Sequence, residues 1–273
     1  MESLSKSDQS EKTDESVVQT IDQLGRIVLL PFSPQRIVSL VPSQTELLFD
    51  LGLGEKVVGV TKFCIHPAEA RRKAGIVGGT KQFDFERIAA LKPDLIIGNK
   101  EENYQAGIER LAAAYPVWLS DIATLDDALR MMRQVGFIAG RKVKGESLAT
   151  ETKAAFDALV APEAPVSAAY FIWRKPYMVA AGGTFIDDML RRAGFLNVFA
   201  GRTRYPEITA FDLAAAEPAR ILLSSEPYPF GEKHVAEFQA ICPTAQVKIV
   251  DGELFSWYGS RLRHSAAYFK TLR

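Results

Sequence analysis

At 273 residues, with 47% hydrophobic and 24% charged side chains, the chain can bury one large or two modest cores, and its composition excludes a disordered chain or a coiled coil. Its 33 basic residues are matched by 33 acidic ones, and no stripe of Lys and Arg offsets that balance, which argues against nucleic acid as a partner. Two cysteines, Cys64 and Cys242, are too few for a disulfide scaffold or a CxxC zinc site, while a single bridge between them stays open.

Residues 1–16, MESLSKSDQSEKTDES, are polar and lack the apolar core and cleavage site of a secretory signal. They read as a disordered tail on a cytoplasmic chain, or on a periplasmic or lipid-anchored one if the natural start lies upstream. No window reaches the roughly 18 apolar residues of a membrane span, so no membrane insertion is expected. After an apolar run at Ile27 to Leu30, RIVSLVP from Arg36 gives a buried strand, and Ser43 with Glu46 forms a capping box for a helix that closes near Gly52. Strand and helix then alternate: VVGV at 57–60, a helix at 85–91, DLIIG at 94–98, a helix at 104–115 and VWL at 117–119. That alternation implies parallel strands covered by crossover helices.

Between Thr124 and Val160 strand candidates stop. The pattern predicts a helix over 125–138 and a second over 142–160, the latter on the order of 28 Å and long enough to join two lobes; Pro162 and Pro165 end it. Alternation resumes with strands at 167–173 and 177–180, helices at 184–193 and 211–216, the strand RILLS, a helix at 233–241, the strand VKIV and a last helix from 260. IAALKPDLIIG at 88–98 and LAAAEPARILLS at 213–224 share a helix, a Pro turn and a strand, which favours two related lobes. The expected fold is α/β: two doubly wound lobes with mainly parallel sheets, joined by a single long backbone helix. Its organisation is a tail at 1–16, an N-terminal lobe at 17–123, connecting helices at 124–165 and a C-terminal lobe at 166–273.

The chain has no Walker A loop, HExxH, GxSxG or strand-following GxGxxG. His66, His234 and His264 are scattered, so no metal site of the chain's own is expected. Aromatic side chains do recur in loops after strands: Phe63, Trp173, Tyr177, Tyr205, Trp257 and Tyr258. Ligands of open α/β sheets bind beyond the carboxyl ends of strands, so these rings predict an interlobe cleft for a large, flat, partly apolar ligand.

RIVSLVPSQTELLFDLGLGEKVVGVT, FERIAALKPDLIIG, PYMVAAGGTFIDDMLRRAGFLNVF and the closing WYGSRL resemble the class III solute-binding proteins of ABC importers, the helical-backbone metal receptors, most closely their cobalamin-binding branch. The resemblance covers about Arg36 to Arg273. It implies a monomeric, non-enzymatic binder with no resident cofactor, whose metal-chelate ligand, such as cobalamin, is held between the lobes and handed to an ABC permease. Phe63, Tyr177 and Tyr205 match aromatic ligand contacts, and Tyr258, Ser260 and Arg261 match the closing loop. Lys81 and Asn99 stand where similar cobalamin binders carry tryptophan. Glu86 matches the first permease-docking acid; the second position is Phe211, with Asp212 and Glu207 nearby.

Two rival readings remain. Lys81, Lys100, Arg174, Arg204 and Arg261 would suit an anionic chelate, haem or a ferric siderophore. A chelatase-like enzyme of tetrapyrrole chemistry would need His66 and an acidic partner in the cleft.

Overall fold

A computed structural model describes residues 17–160 and 162–272; the expected tail at 1–16 lies outside the described residues. The chain opens with an antiparallel hairpin, β1 (Val17–Ile21) and β2 (Ile27–Pro31), which buries Val28 and Leu30. Next come β3 (Ile37–Ser39), α1 (Pro42–Asp50), β4 (Val57–Val60), α2 (Ala70–Lys73) and β5 (Gly75–Ile76). A small hairpin, β6 (Gly78–Gly79) and β7 (Gln82–Phe83), precedes α3 (Phe85–Leu91), β8 (Leu95–Asn99), α4 (Gln105–Ala112) and β9 (Val117–Ser120). The order β5-β4-β3-β8-β9 makes one all-parallel sheet, and its Val, Ile and Leu side chains are buried on both faces, as helix-covered parallel strands require.

Two helices follow, α5 (Leu125–Ile138) and α6 (Lys142–Asp157). A capping box between Thr124 and Asp127 starts α5. The second helix is shorter than the expected 142–160, because Ala158 ends it and Leu159 packs against the core. Beyond it lie β10 (Val166–Trp173), β11 (Tyr177–Val179), α7 (Phe185–Arg192), β12 (Phe195–Asn197), β13 (Glu207–Ile208), α8 (Ala210–Ala216) and β14 (Arg220–Ser224). The chain closes with α9 (Glu232–Ile241), β15 (Gln246–Val250), α10 (Glu253–Ser256) and α11 (Leu262–Lys270). This second sheet runs β13-β11-β10-β14-β15, with β12 also beside β10; β11 is antiparallel to both of its neighbours, β10 and β13, and the other pairs are parallel.

The architecture is thus two α/β lobes, and a continuous core joins them. Trp118 and Leu95 of the first sheet share one apolar cluster with Met132 on α5, Leu148 on α6, Tyr170 on β10 and Phe269 on α11. The repeated segments have matching ends: α3 and α8 are each capped at the N-terminus by a side chain, Asp84 or Thr209, and end at a left-handed residue, Lys92 (φ 46°) or Glu217 (φ 44°). Pro93 and Pro218 come next, and a following proline disfavours the right-handed α conformation that would prolong each helix.

One local expectation fails, and one open question closes. Ser43 does not cap α1; its hydroxyl has no protein partner, Pro42 occupies the first turn, and Glu46 is drawn away by Arg261. Cys64 and Cys242 are both buried free thiols, so no bridge joins them. Among the described residues no helix is long and apolar enough to cross a membrane.

Candidate functional site

Loops of both lobes, most of them leaving the carboxyl ends of strands, meet along one seam. From the N-terminal lobe come Phe63 and His66 after β4, and Glu101 and Glu102 after β8. From the C-terminal lobe come Arg204 and Tyr205 before β13, Glu226 after β14, and Glu253 to Arg261 after β15. Polar side-chain contacts cross the seam, among them Arg204 to Glu101 at 2.9 Å, Tyr258 to Glu102 at 2.6 Å, His66 to Glu253 at 3.1 Å, Arg261 to both oxygens of Glu46 at 2.8 and 2.9 Å, and Arg263 to Asp50 at 3.1 Å. Arg261 also reaches Glu253 at 3.0 Å.

The aromatic candidates divide by exposure. Phe63 is 50% exposed, with the Lys62 ammonium 5.1 Å from its ring, and Trp173 is 39% exposed, edge-on to Tyr228 at 5.5 Å. Both present apolar surface to solvent at loop ends. Tyr177 and Tyr205 are partly buried. Tyr177 donates to Glu237, which Arg174 also holds, and burial first, then Glu237, pushes its phenol up to about 12. Tyr205 packs on the shared core and faces Glu101; burial and that carboxylate raise its phenol.

The remaining ligand candidates, apart from Lys81, are largely enclosed by protein. Asn99 is buried, donates to Ser120 and accepts from the backbone N–H groups of Glu101 and Glu102, so it shapes the turn that aims those acids. Trp257 is buried, donates its indole N–H to Glu226 at 2.9 Å, and lies edge-on to His66 with Arg261 stacked 5.0 Å away. Tyr258 and Ser260 are buried as well. Gly259 between them is required: a Cβ there would stand 2.3 Å from the Ser43 carbonyl oxygen. The closing loop is therefore packed flush against α1 and forms the floor between the lobes. Lys81 stays exposed in the β6–β7 turn and donates to the Glu101 carbonyl.

Carboxylates dominate this seam, and the sequence reading did not single them out. Burial raises the Glu102 carboxyl to about 7, against the Tyr258 hydrogen bond and with Glu226 and Glu101 adding to the rise. Burial likewise raises Glu226, which accepts from Ser256 and Trp257. One signal could have found two of them. Glu101 and Glu226 are 125 residues apart, the same offset that separates Pro93 from Pro218, so each lobe places a glutamate just beyond the strand that follows its repeated Pro turn, β8 or β14.

The acidic partner that His66 lacked in the sequence is Glu253, although Arg261 already neutralises that carboxylate. Among the described residues no group of three or more His, Cys, Asp and Glu side chains is arranged to hold a metal ion. The two docking candidates lie off the seam, beside the repeated helices. A hollow of about 520 Å³ bordered by Gln82, Phe85, Glu86 and Arg110 adjoins α3, and one of about 300 Å³ bordered by Phe199, Arg202, Phe211 and Asp212 adjoins α8. Glu86 is exposed. Asp212 is engaged by Thr209 and Arg202, which hold its carboxyl down at about 2.

Known proteins resemble the chain in sequence and fold over most of its length. The family model described as "Periplasmic binding protein" matches residues 37–240. A vitamin B12-binding protein of Pectobacterium atrosepticum is 28% identical over 242 residues, covering 84% of this chain and 85% of the relative. Another from Vibrio campbellii is 29% identical over 197 residues, 70% of each chain. Among solved structures, the periplasmic vitamin B12 binding protein of Vibrio cholerae superimposes with a TM-score of 0.74 at 22% identity, over 88% of this chain and 97% of that one. A periplasmic haem-binding protein from Roseiflexus sp. RS-1 gives 0.76 at 24% identity, over 87% and 97%.

Proposed function

The chain belongs to the periplasmic binding protein family, as a two-lobed class III solute-binding protein of the ABC import type, and on that premise we propose that its ligand is a corrinoid of the cobalamin type held at the interlobe seam. It is a binding protein and not an enzyme. The observation that carries the corrinoid reading is electrostatic. All five cations that would hold an anionic chelate are engaged: Lys81 by the Glu101 carbonyl, Lys100 by Asp121 at 2.6 Å, Arg174 by Glu237 at 2.6 Å, Arg204 by Glu101 and Arg261 by Glu46.

Haem or a carboxylated siderophore would break those pairs and then face Glu101, Glu102 and Glu226. A corrinoid carries neutral amides around its rim, and amide N–H groups donate to carboxylates. The relatives named for vitamin B12 support the same choice. Phe63 and Trp173 supply apolar contact, the metal arrives inside the ligand, and the chain adds no cofactor of its own. In this reading the protein is a periplasmic monomer, which replaces the cytoplasmic expectation drawn from residues 1–16; fractionation of the native protein tests that placement. The cargo passes to an ABC permease through Glu86 on the first lobe, with Phe211, 80% exposed, at the equivalent place on the second.

The deciding experiment is to mix the purified protein with cobalamin, with haem and with a ferric siderophore, then record absorbance after removing free ligand. Cobalamin retained in stoichiometric amount supports the reading. Retention of haem or siderophore with loss of cobalamin overturns it.

A further inference from the structure

The end of the N-terminal lobe remote from the seam carries a cluster that ligand binding does not use. There the loop into β3 meets the turn between α5 and α6. Ser33 accepts a hydrogen bond from Lys56 at 3.1 Å and lies against Gly140, where even a Cβ would approach its hydroxyl to 3.0 Å. Three large apolar side chains project around this contact: Phe32 is 63% exposed, Phe137 45% and Val143 85%. Among them stand Arg141, Lys142 and Lys144, all exposed. Among the described residues no carboxylate pairs with any of the three, and Arg141 donates only to the Gly140 carbonyl.

Fold stability does not account for these cations. Lys142 and Lys144 occupy the first turn of α6, which has no acidic residue and no side-chain cap. Positive charge is disfavoured at that end of a helix by the aligned peptide dipoles, and the free N–H groups there attract anions. The open end of the β1–β2 hairpin lies at this tip, because Val17 pairs with Pro31, one residue before Phe32. The outward face of that hairpin is apolar too, with Val17, Ile21, Ile27 and Leu29 each more than half exposed.

We infer that this tip is a peripheral contact for an anionic phospholipid surface. Arg141, Lys142, Lys144 and the first-turn amides of α6 meet lipid phosphates, while Phe32, Phe137 and Val143 enter the boundary between headgroups and acyl chains. Unpaired cations interleaved with apolar side chains, projecting from a loop and a turn, match a charged surface that is also apolar beneath, which an acidic protein surface is not. The strands' opposite ends form the seam, so contact at the tip leaves the ligand loops free.

The test is co-sedimentation of the full chain with vesicles of phosphatidylglycerol and phosphatidylethanolamine, and with phosphatidylcholine alone. The wild type should partition onto the anionic vesicles only. Lys142→Gln with Lys144→Gln should lower that partition about thirtyfold, and Phe137→Ser with Val143→Ser should lower it further at high salt, where charge is screened. Retained ligand, measured on the same variants, should not change, and the melting temperature of the lysine variant should not fall, since those cations oppose the helix dipole. Absence of wild-type binding to anionic vesicles overturns the inference, as does equal binding by the lysine variant. Loss of binding on adding inorganic phosphate alone also overturns it, since that would mark a site for a free ion.

Discussion

Tyr258, at the end of the C-terminal lobe's last loop, donates its hydroxyl to Glu102 of the N-terminal lobe at 2.6 Å. Neither residue has a charged partner at that contact, and Glu101 and Glu226 both add negative potential to Glu102. The hydrogen bond joins the lobes at a point where ionisation is costly.

Stability should therefore fall as pH rises through the seam's titration. A carboxyl near its usual value of 4.5 when solvated and about 7 when enclosed binds more protons in the closed, folded state between those limits, so stability present below about 4.5 is lost progressively towards 7. Glu226, also raised, acts in the same direction. Lys81 is the nearby cation that opposes the rise, and Tyr205 and Cys64 also lie within the reach of Glu102. Thermal melts across this range should show the decline in the wild type and a shallower one in Glu102→Gln. Parallel curves for the two proteins would show that Glu102 does not carry the effect.

Arg261→Ala should destabilise the fold by about 2–4 kcal/mol, because it strands Glu46 and Glu253 against each other in a partly buried site. Arg263→Ala removes a more exposed pair with Asp50 and should cost less than about 1 kcal/mol. Denaturant titration of both variants checks the contrast, and equal midpoints would contradict it.

How far the sequence reaches depends on how local the cause is. Phe85–Leu91, Leu125–Ile138 and Arg220–Ser224 have the expected bounds, because caps and prolines that fix them lie within a few residues. Ser43 and Glu46 have the pattern of a capping box, yet Arg261 takes Glu46 from 215 residues away, which no local pattern reveals. The loops that build the seam are readable as strand ends. Which of their side chains face inward is not, since the burial of Trp257 and Ser260 follows from the meeting of two lobes, and that of Asn99 from its bonds to Ser120 and to the turn after β8.

That distinction decides which aromatic substitutions isolate ligand grip. Phe63 is half exposed, so Phe63→Ala should leave the melting temperature unchanged; losing roughly 60 Å² of contact at about 25 cal/mol per Å² weakens cobalamin binding by about 1.5 kcal/mol, near tenfold. Tyr205→Ala should lower both affinity and stability, because its ring packs on the shared core. Calorimetric titration with parallel melts separates them. Unchanged affinity in Phe63→Ala would remove that ring from the ligand site.

The helices between the lobes make the final prediction, which concerns rigidity. Gly136 on α5 and Gly145 on α6 lie where the helices cross: a Cβ on Gly136 would stand 2.8 Å from the Gly145 Cα, and one on Gly145 would stand 2.9 Å from the Met132 carbonyl oxygen. Both obstacles are backbone, which cannot rotate aside as a side chain does. Gly136→Ala should gain about 1 kcal/mol in helix propensity and lose more to the forced separation of the helices, typically 1–3 kcal/mol for an overpacked contact. The net effect should be a lower melting temperature. With the glycines in place, α6 spans about 24 Å as one helix packed against α5, and a helix does not absorb the dihedral change that a strand hinge does. Ligand should therefore change the radius of gyration little in the wild type. Small-angle scattering with and without ligand measures this directly. A large contraction on binding, or a Gly136→Ala variant as stable as the wild type, would show that the crossing does not hold the lobes in place.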